Sequence, residues 1–465
     1  MGVKQYMTKE ITGKLFDYIH KDPEKNAVKI LDMIDKLGLN TGQAAKIRAI
    51  LNDPDNNWYK YIMNILNEVD KDILRSVITN FVLNATVFGM KEAQKVEEQY
   101  DCNVPWAILM DPTSACNLHC TGCWAAEYGH NLNLTYEEMD DIINQANELG
   151  CYFFLFTGGE PLVRKADIIR LCEAHQDCAF TSFTNATLID EQFADDMLRV
   201  KNFVPAISVE GFEESTDFRR GQGTFKRIEK AMDLLKERNL PFGLSCCYTR
   251  QNTDVIGSEE YFDQMIEWGA KFCWLFTYMP VGKDAVPDLM VTAEQRKYMY
   301  EQVRKFRNTK PIFTMDFWND GEYSAFNGKP GGCIAGGRRY LHINANGDIE
   351  PCAFIHYSDS NIREKTLLEA LCSPLFMAYR KGQPFSDNLL RPCPLLDNQG
   401  ALARMVHESG ARSTDLADPE DVDELTAKCL SAADNWQPVA DEIWRCSGHC
   451  ASCSEAEAHQ NVMAG

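Results

Sequence analysis

Three things are missing from this sequence, and each absence removes a class of function. No charged-then-apolar segment opens it; Met1 to Glu10 is polar and mixed, so no export signal is expected. No long hydrophobic run follows: the most apolar helix-like stretch, Val77 to Met90, is interrupted by Asn80 and Asn84. It falls short of the ~20 apolar residues that span a bilayer. Positive charge is also scarce. Against 68 Asp and Glu there are 47 Lys and Arg, a net charge of −21, which argues against nucleic acid and anionic lipid headgroups as partners. Cysteine, by contrast, is plentiful, at 18 of 465 residues. Without an export signal these read as reduced thiols and metal ligands in a cytoplasmic protein, not as a disulfide framework. The length allows two or three domains with a large core.

Three cysteines stand out. Cys116, Cys120 and Cys123 lie in Cys-Asn-Leu-His-Cys-Thr-Gly-Cys, directly after the apolar stretch Trp106 to Met110. Thiols at this spacing in a tight loop can hold three irons of a four-iron cluster, leaving the fourth iron open to a small molecule. A zinc site with His119 as fourth ligand is the competing reading, although His119 sits between two of the cysteines and would strain a tetrahedral site. A second block, Thr157-Gly158-Gly159-Glu160-Pro161, ends the apolar run Cys151 to Phe156. Adjacent glycines allow close backbone approach, and Glu160 or nearby carbonyls can accept from an ammonium.

The Cys-x3-Cys-x2-Cys spacing followed by Gly-Gly-Glu-Pro resembles the radical S-adenosylmethionine superfamily. That resemblance implies a cluster on Cys116, Cys120 and Cys123, and an amino-group contact for S-adenosylmethionine along Gly158, Gly159, Glu160 and Pro161. It also implies further cofactor contacts at Ser182, Asn185 and Ser208. Ser208-Val209-Glu210-Gly211 stands where relatives usually have Ser-x-Asp-Gly, so Glu210 is one methylene longer than the family's residue. Arg219-Arg220-Gly221-Gln222-Gly223-Thr224-Phe225 resembles an Arg-Gly-x-Gly-Ser-Phe stretch, and Arg220 is the favoured partner for the methionine carboxylate. The alternative is a helix start capped by Thr224 with both arginines solvated. One departure is Gly122, where the family usually has an aromatic residue; Trp124 follows the third cysteine instead.

The wider pattern gives an α/β fold. Residues 1–100 read as a helical domain for packing or dimerisation. Residues 101–315 alternate strands with helices: Trp106–Asp111, Tyr152–Thr157, Ala179–Thr184, Val204–Val209, Phe242–Tyr248 and Phe272–Tyr278 are the expected strands. Six such units match the partial (β/α)6 TIM-like barrel of the family, with the motifs at carboxyl ends of strands. On strand five, Ser245 is expected to face the site and Cys246 and Cys247 the core.

Residues 316–465 are expected to form a small α+β cluster-binding domain with a cysteine-rich tail. Cys333 is followed by thirteen residues, Gly347, four residues and Cys352, and Tyr340 to Cys352 reads as a hairpin about Asn346-Gly347. This resembles the opening of the SPASM, or shorter Twitch, auxiliary-cluster domain, without the usual later Cys-x2-Cys pair. One auxiliary four-iron cluster is therefore expected, on Cys333, Cys352, Cys393 and Cys429. Cys372 is expected in buried packing. Cys446, Cys450 and Cys453 repeat the Cys-x3-Cys-x2-Cys spacing, as an additional metal site or a loose tail.

By resemblance, a reduced cluster cleaves S-adenosylmethionine to a 5′-deoxyadenosyl radical that removes hydrogen from a substrate carbon. No catalytic residue beyond the cofactor ligands is then required. A peptide or protein is the expected substrate, with a lipid or small metabolite as alternative and an iron–sulfur electron carrier as the non-enzymatic reading. An electron donor such as ferredoxin or flavodoxin is the expected partner.

Overall fold

The computed structural model describes residues 3–36, 42–325 and 331–449. Its centre is a nine-stranded sheet in the order β7-β6-β5-β4-β3-β2-β1-β8-β9. The strands are β1 Ala107–Met110, β2 Phe153–Phe156, β3 Ala179–Thr184, β4 Phe203–Ser208, β5 Gly243–Tyr248, β6 Phe272–Thr277, β7 Phe313–Asp316, β8 Tyr340–Ile343 and β9 Ile349–Glu350. β1 to β7 are parallel and joined by helical crossovers, as their alternation with amphipathic helices requires. The six expected strands are all present. Sequence periodicity did not reveal the seventh, nor that β8 pairs in parallel with β1. The hairpin of the carboxyl-terminal region is therefore built into the barrel sheet, with β9 antiparallel to β8 and Gly347 at φ +85° in the turn.

Side-chain alternation divides the sheet into two faces. Ile108, Met110, Phe154, Phe156 and Phe180 join the main core with the surrounding helices, and Phe156 and Phe180 stack at 5.8 Å. Ala107, Phe153, Leu155, Ala179, Phe183 and Trp274 face the barrel interior. Ser182, in register with Phe156, falls on the helix-facing side and is fully buried there. The period of two thus removes it from the interior positions expected to meet a cofactor.

The described amino-terminal region is built of helices: Val3–Lys21, Pro23–Lys36, Gly42–Leu51 and Asn57–Glu68 precede one continuous helix, Lys71–Tyr100, π-helical over Ile78–Gly89. That last helix is longer than the apolar stretch suggested and, by length and composition, could cross a membrane. In the fold it lies against the barrel. Asn80 donates to the carbonyls of Gln176 and Cys178, and Asn84 to that of Asp177. Phe81 packs edge-on to Phe153 at 5.0 Å and Trp106 at 5.2 Å, and with Ala85 it closes the base of the barrel interior. Gly89 has no room for a side chain, because a Cβ would fall 2.2 Å from the Gly150 carbonyl.

Candidate active site

Both sequence motifs sit at carboxyl ends of neighbouring strands. Cys116, Cys120 and Cys123, all partly exposed, follow β1; the Gly-Gly-Glu-Pro turn follows β2. The two loops touch through backbone. A Cβ on Gly158, at φ +99°, would meet Asp111 at 2.8 Å, and one on Gly159 would meet the Ala115 carbonyl at 2.2 Å. The glycines are needed for this contact between loops. Glu160 is buried and accepts from the Leu162 and Asn185 amides and the Thr184 hydroxyl. The Asn185 side chain donates to Asn117 inside the cysteine loop at 2.8 Å. Glu160 and Asn185 thereby tie the ends of β2 and β3 to the thiols.

The thiols form one electrostatic group. Burial pushes Cys116 up to about 11, against a hydrogen bond from the Leu118 amide, and Glu160, Cys120 and Cys123 add to the rise. Burial raises Cys120 also, opposed by Arg220. Such thiols give up protons when metal binds. His119 is exposed, and among the described residues no three His, Cys, Asp or Glu side chains converge as a single metal ion requires.

Arg219 and Arg220, at the end of helix Glu213–Arg220, are not solvated. Both guanidinium groups bond to Glu210, which is fully buried; Arg219 Nη1 and Arg220 Nη2 each lie 2.7 Å from its Oε1. Burial opposes ionisation of Glu210, but Arg220 and Arg219 outweigh it and hold the carboxyl below its ordinary value. The Arg219 carbonyl also accepts from the Thr121 amide, and its Nε donates to the Thr121 carbonyl. This pins the cysteine loop to the end of that helix. Thr224 does not cap the following helix. Gly223, at φ +75°, holds the cap position, and the buried Asp217 carboxylate takes the Gly223 and Phe225 amides at 2.7 and 2.8 Å.

Ser208 and Ser245 pair in register on the interior face, beside Trp274. Cys246 is core, 3.4 Å from the Tyr261 hydroxyl. Cys247 departs from expectation: it is partly exposed on the same side as Ser245, with Arg219 and Glu210 among its charged neighbours. Strand parity alone could have found it. Tyr278, after β6, fills the space beside Gly122 (φ +64°), where a Cβ would lie 2.6 Å from its ring. The aromatic group missing from the cysteine loop is supplied from another strand.

Above the mouth, Trp124 packs edge-on to Phe354 and His342, both at 5.7 Å, joining the cysteine loop to the carboxyl-terminal region. His342 is held between Asp111 (2.9 Å) and Glu350 (2.6 Å), all three fully buried. Burial disfavours the charged ring, yet Asp111 and Glu350 prevail and push it up to about 10. Tyr128 donates to the same Glu350.

Cys333, Cys352 and Cys393 pack against a second apolar cluster, which also contains Tyr278 and Trp318. The Cys333 and Cys352 charges both act on Cys393. Cys429, in helix Val422–Trp444, is buried in this cluster, but its charged neighbours are Lys428, Asp397 and Glu420. It shares that cluster with the other three thiols. Cys372 is exposed rather than buried. Cys446 lies in the last turn, Arg445–His449; Cys450 and Cys453 fall outside the described residues.

Comparison with known families agrees with this geometry. Residues 110–267 match the Radical SAM superfamily, and residues 333–394 match SPASM, an iron–sulfur cluster-binding domain. The chain is a radical SAM enzyme with a SPASM domain. An AdoMet-dependent heme synthase of Methanosarcina barkeri (strain Fusaro / DSM 804) is 22% identical across 57% of this chain and 82% of its own length. A PqqA peptide cyclase of Granulibacter bethesdensis is 25% identical across 70% of this chain and 87% of its own. Streptococcus suis SuiB, solved with S-adenosylmethionine bound, shares the fold with a TM-score of 0.56 at 21% identity, over 73% of this chain and 80% of that one. A four-iron cluster, S-adenosylmethionine and an auxiliary cluster are the cofactors of this radical SAM enzyme. The residues present suit them: two separate groups of three neighbouring thiols, both partly exposed, one of them following β1.

Proposed function

We propose that this radical SAM enzyme modifies a peptide or protein by removing hydrogen from an unactivated carbon. The observation that carries the reading is the contact between the two cysteine-bearing regions, Trp124 beside Cys123 packing on Phe354 beyond Cys352. Cys116, Cys120 and Cys123 lie on the barrel side, Cys333, Cys352 and Cys393 on the other, with Trp124 and Phe354 in contact between them. The similarity to a peptide cyclase over most of both chains supports the substrate class.

In this reading Cys116, Cys120 and Cys123 would hold the four-iron cluster, and S-adenosylmethionine bound there would supply the radical chemistry. The chain's own groups place and protect the reactants. The turn Gly158–Pro161 offers backbone acceptors to the cofactor's ammonium, while Glu160 and Asn185 hold that turn against the cysteine loop. Arg220, oriented by Glu210, presents positive charge toward the methionine carboxylate. Ser208 and Ser245 line the barrel interior. Rings of Phe183, Trp274, Phe276, Phe317 and Phe354 form a wall that keeps water from the reacting carbon; Phe276 and Phe317 stack at 4.8 Å. A small reducing protein such as ferredoxin or flavodoxin is the electron donor.

That wall favours a second reading, a lipid or other apolar metabolite, in keeping with the heme synthase similarity. One experiment separates the two. The anaerobically reconstituted, reduced enzyme is given S-adenosylmethionine with either a deuterated cellular peptide fraction or a deuterated lipid fraction. Deuterium in the 5′-deoxyadenosine from peptide, lost in Cys116→Ala, supports the first reading; transfer from lipid alone sinks it.

A further inference from the structure

Tyr379 lies in helix Pro374–Gly382 and is fully buried. Its hydroxyl has no hydrogen-bond partner in the fold. A buried hydroxyl left unpaired costs about 1–3 kcal/mol, a penalty that phenylalanine would avoid at the same place. The ring belongs to the cluster against which Cys333, Cys352 and Cys393 pack, and these three thiols are the titratable groups nearest in effect to the phenol. The surrounding chain fixes it there. Gly336, at φ +64°, passes so close that a Cβ would fall 2.6 Å from Tyr379 Cβ. Gln383, just past the helix, donates to the carbonyls of Cys333 and Ala335. Tyr340, in the same region, already donates to Cys352 Sγ at 2.8 Å. Tyr379 thus brings a fixed, unpartnered donor into the apolar cluster that the three thiols share.

We propose that the Tyr379 O–H donates a hydrogen bond to a sulfur of the auxiliary cluster on Cys333, Cys352 and Cys393, and so sets that cluster's reduction potential. This rests on the reading of those three thiols as cluster ligands. Hydrogen bonds to cluster sulfurs stabilise the more negative, reduced state and raise the potential. Tyr379 is a tuning residue, with no contact to the reacting carbon required.

The test uses the full chain with Cys116, Cys120 and Cys123 replaced by Ala, so that only the auxiliary cluster reports. Iron and sulfide are counted, and the midpoint potential is followed by electron paramagnetic resonance during a redox titration, with and without Tyr379→Phe. Unchanged iron with a more negative midpoint is the expected result. The cluster-free form of Tyr379→Phe is expected to be at least as stable to denaturant as its parent, because the unpaired hydroxyl is gone. An unmoved midpoint, or loss of stability in the cluster-free form, overturns the assignment. Loss of iron in Tyr379→Phe overturns it in favour of direct ligation. A parent without iron overturns the ligand reading itself and the tuning role with it, a result distinct from a cluster whose potential ignores the phenol.

Discussion

Gly122 and Tyr278 share one space: a Cβ on the glycine would lie 2.6 Å from the tyrosine ring. The loop that carries three thiols is thereby shaped by a residue that follows the sixth strand. Gly122→Ala is expected to cost about 1–2 kcal/mol for the left-handed backbone alone, and more from the displaced ring. Iron content after reconstitution and denaturant midpoints check this. Adding Tyr278→Ala should recover the steric part, a positive coupling between neighbours. Strict additivity would show that the ring does not shape the loop.

Glu210 joins two guanidinium groups beside the thiols. Replacing it by Gln leaves Arg219 and Arg220 buried without their carboxylate. Breaking a buried pair from one side costs about 3–5 kcal/mol, and a loss of that order is expected in urea unfolding. Affinity for S-adenosylmethionine, measured by calorimetry on the cluster-loaded enzyme, should fall at the same time, because Arg220 loses its anchor. Arg220→Lys should weaken binding with less effect on folding.

The Asp111–His342–Glu350 triad makes stability depend on alkaline pH. The folded ring titrates at about 10, above the ordinary histidine value of 6.5. Its contribution is therefore fully present below about 6.5 and declines as pH rises toward 10. Denaturant midpoints between pH 6 and 10 should fall in the native chain and fall less in His342→Gln. Parallel curves would remove the triad as the cause.

Asn80 satisfies two barrel carbonyls from the helix at the barrel base. Asn80→Leu leaves both without that donor, with an expected loss of about 1–3 kcal/mol and faster hydrogen exchange at the amides of Lys71–Tyr100. Unchanged exchange would mean that apolar packing alone holds the helix.

Most of the barrel was legible in the sequence because its signals are local. Apolar runs, crossover helices, cysteine spacing and the Gly-Gly-Glu-Pro turn each lie within a short window. Partnerships made across the fold were not. Nothing near Glu210 shows that it will be claimed by two arginines, and nothing near Gly122 announces Tyr278. Thr224 looked like a cap because Asp217, the residue that does the work, lies outside the helix it caps. The chain near Cys372 gives no sign that the thiol faces solvent. Ser182 and Cys247, in contrast, were within reach: counting strand parity from Phe180 and Ser245 places one outward and the other inward.

Phe81 and Ala85 give the barrel a floor, so its interior is a cup and not a pipe. On the proposed reading, this leaves the carboxyl-terminal rim as the route to the interior. The reacting carbon of the proposed substrate then enters from that rim, and the product withdraws by the same route. Reach, counted in residues or methylenes from the carboxyl-terminal rim to the thiols, then becomes the ruler that selects which carbon is touched.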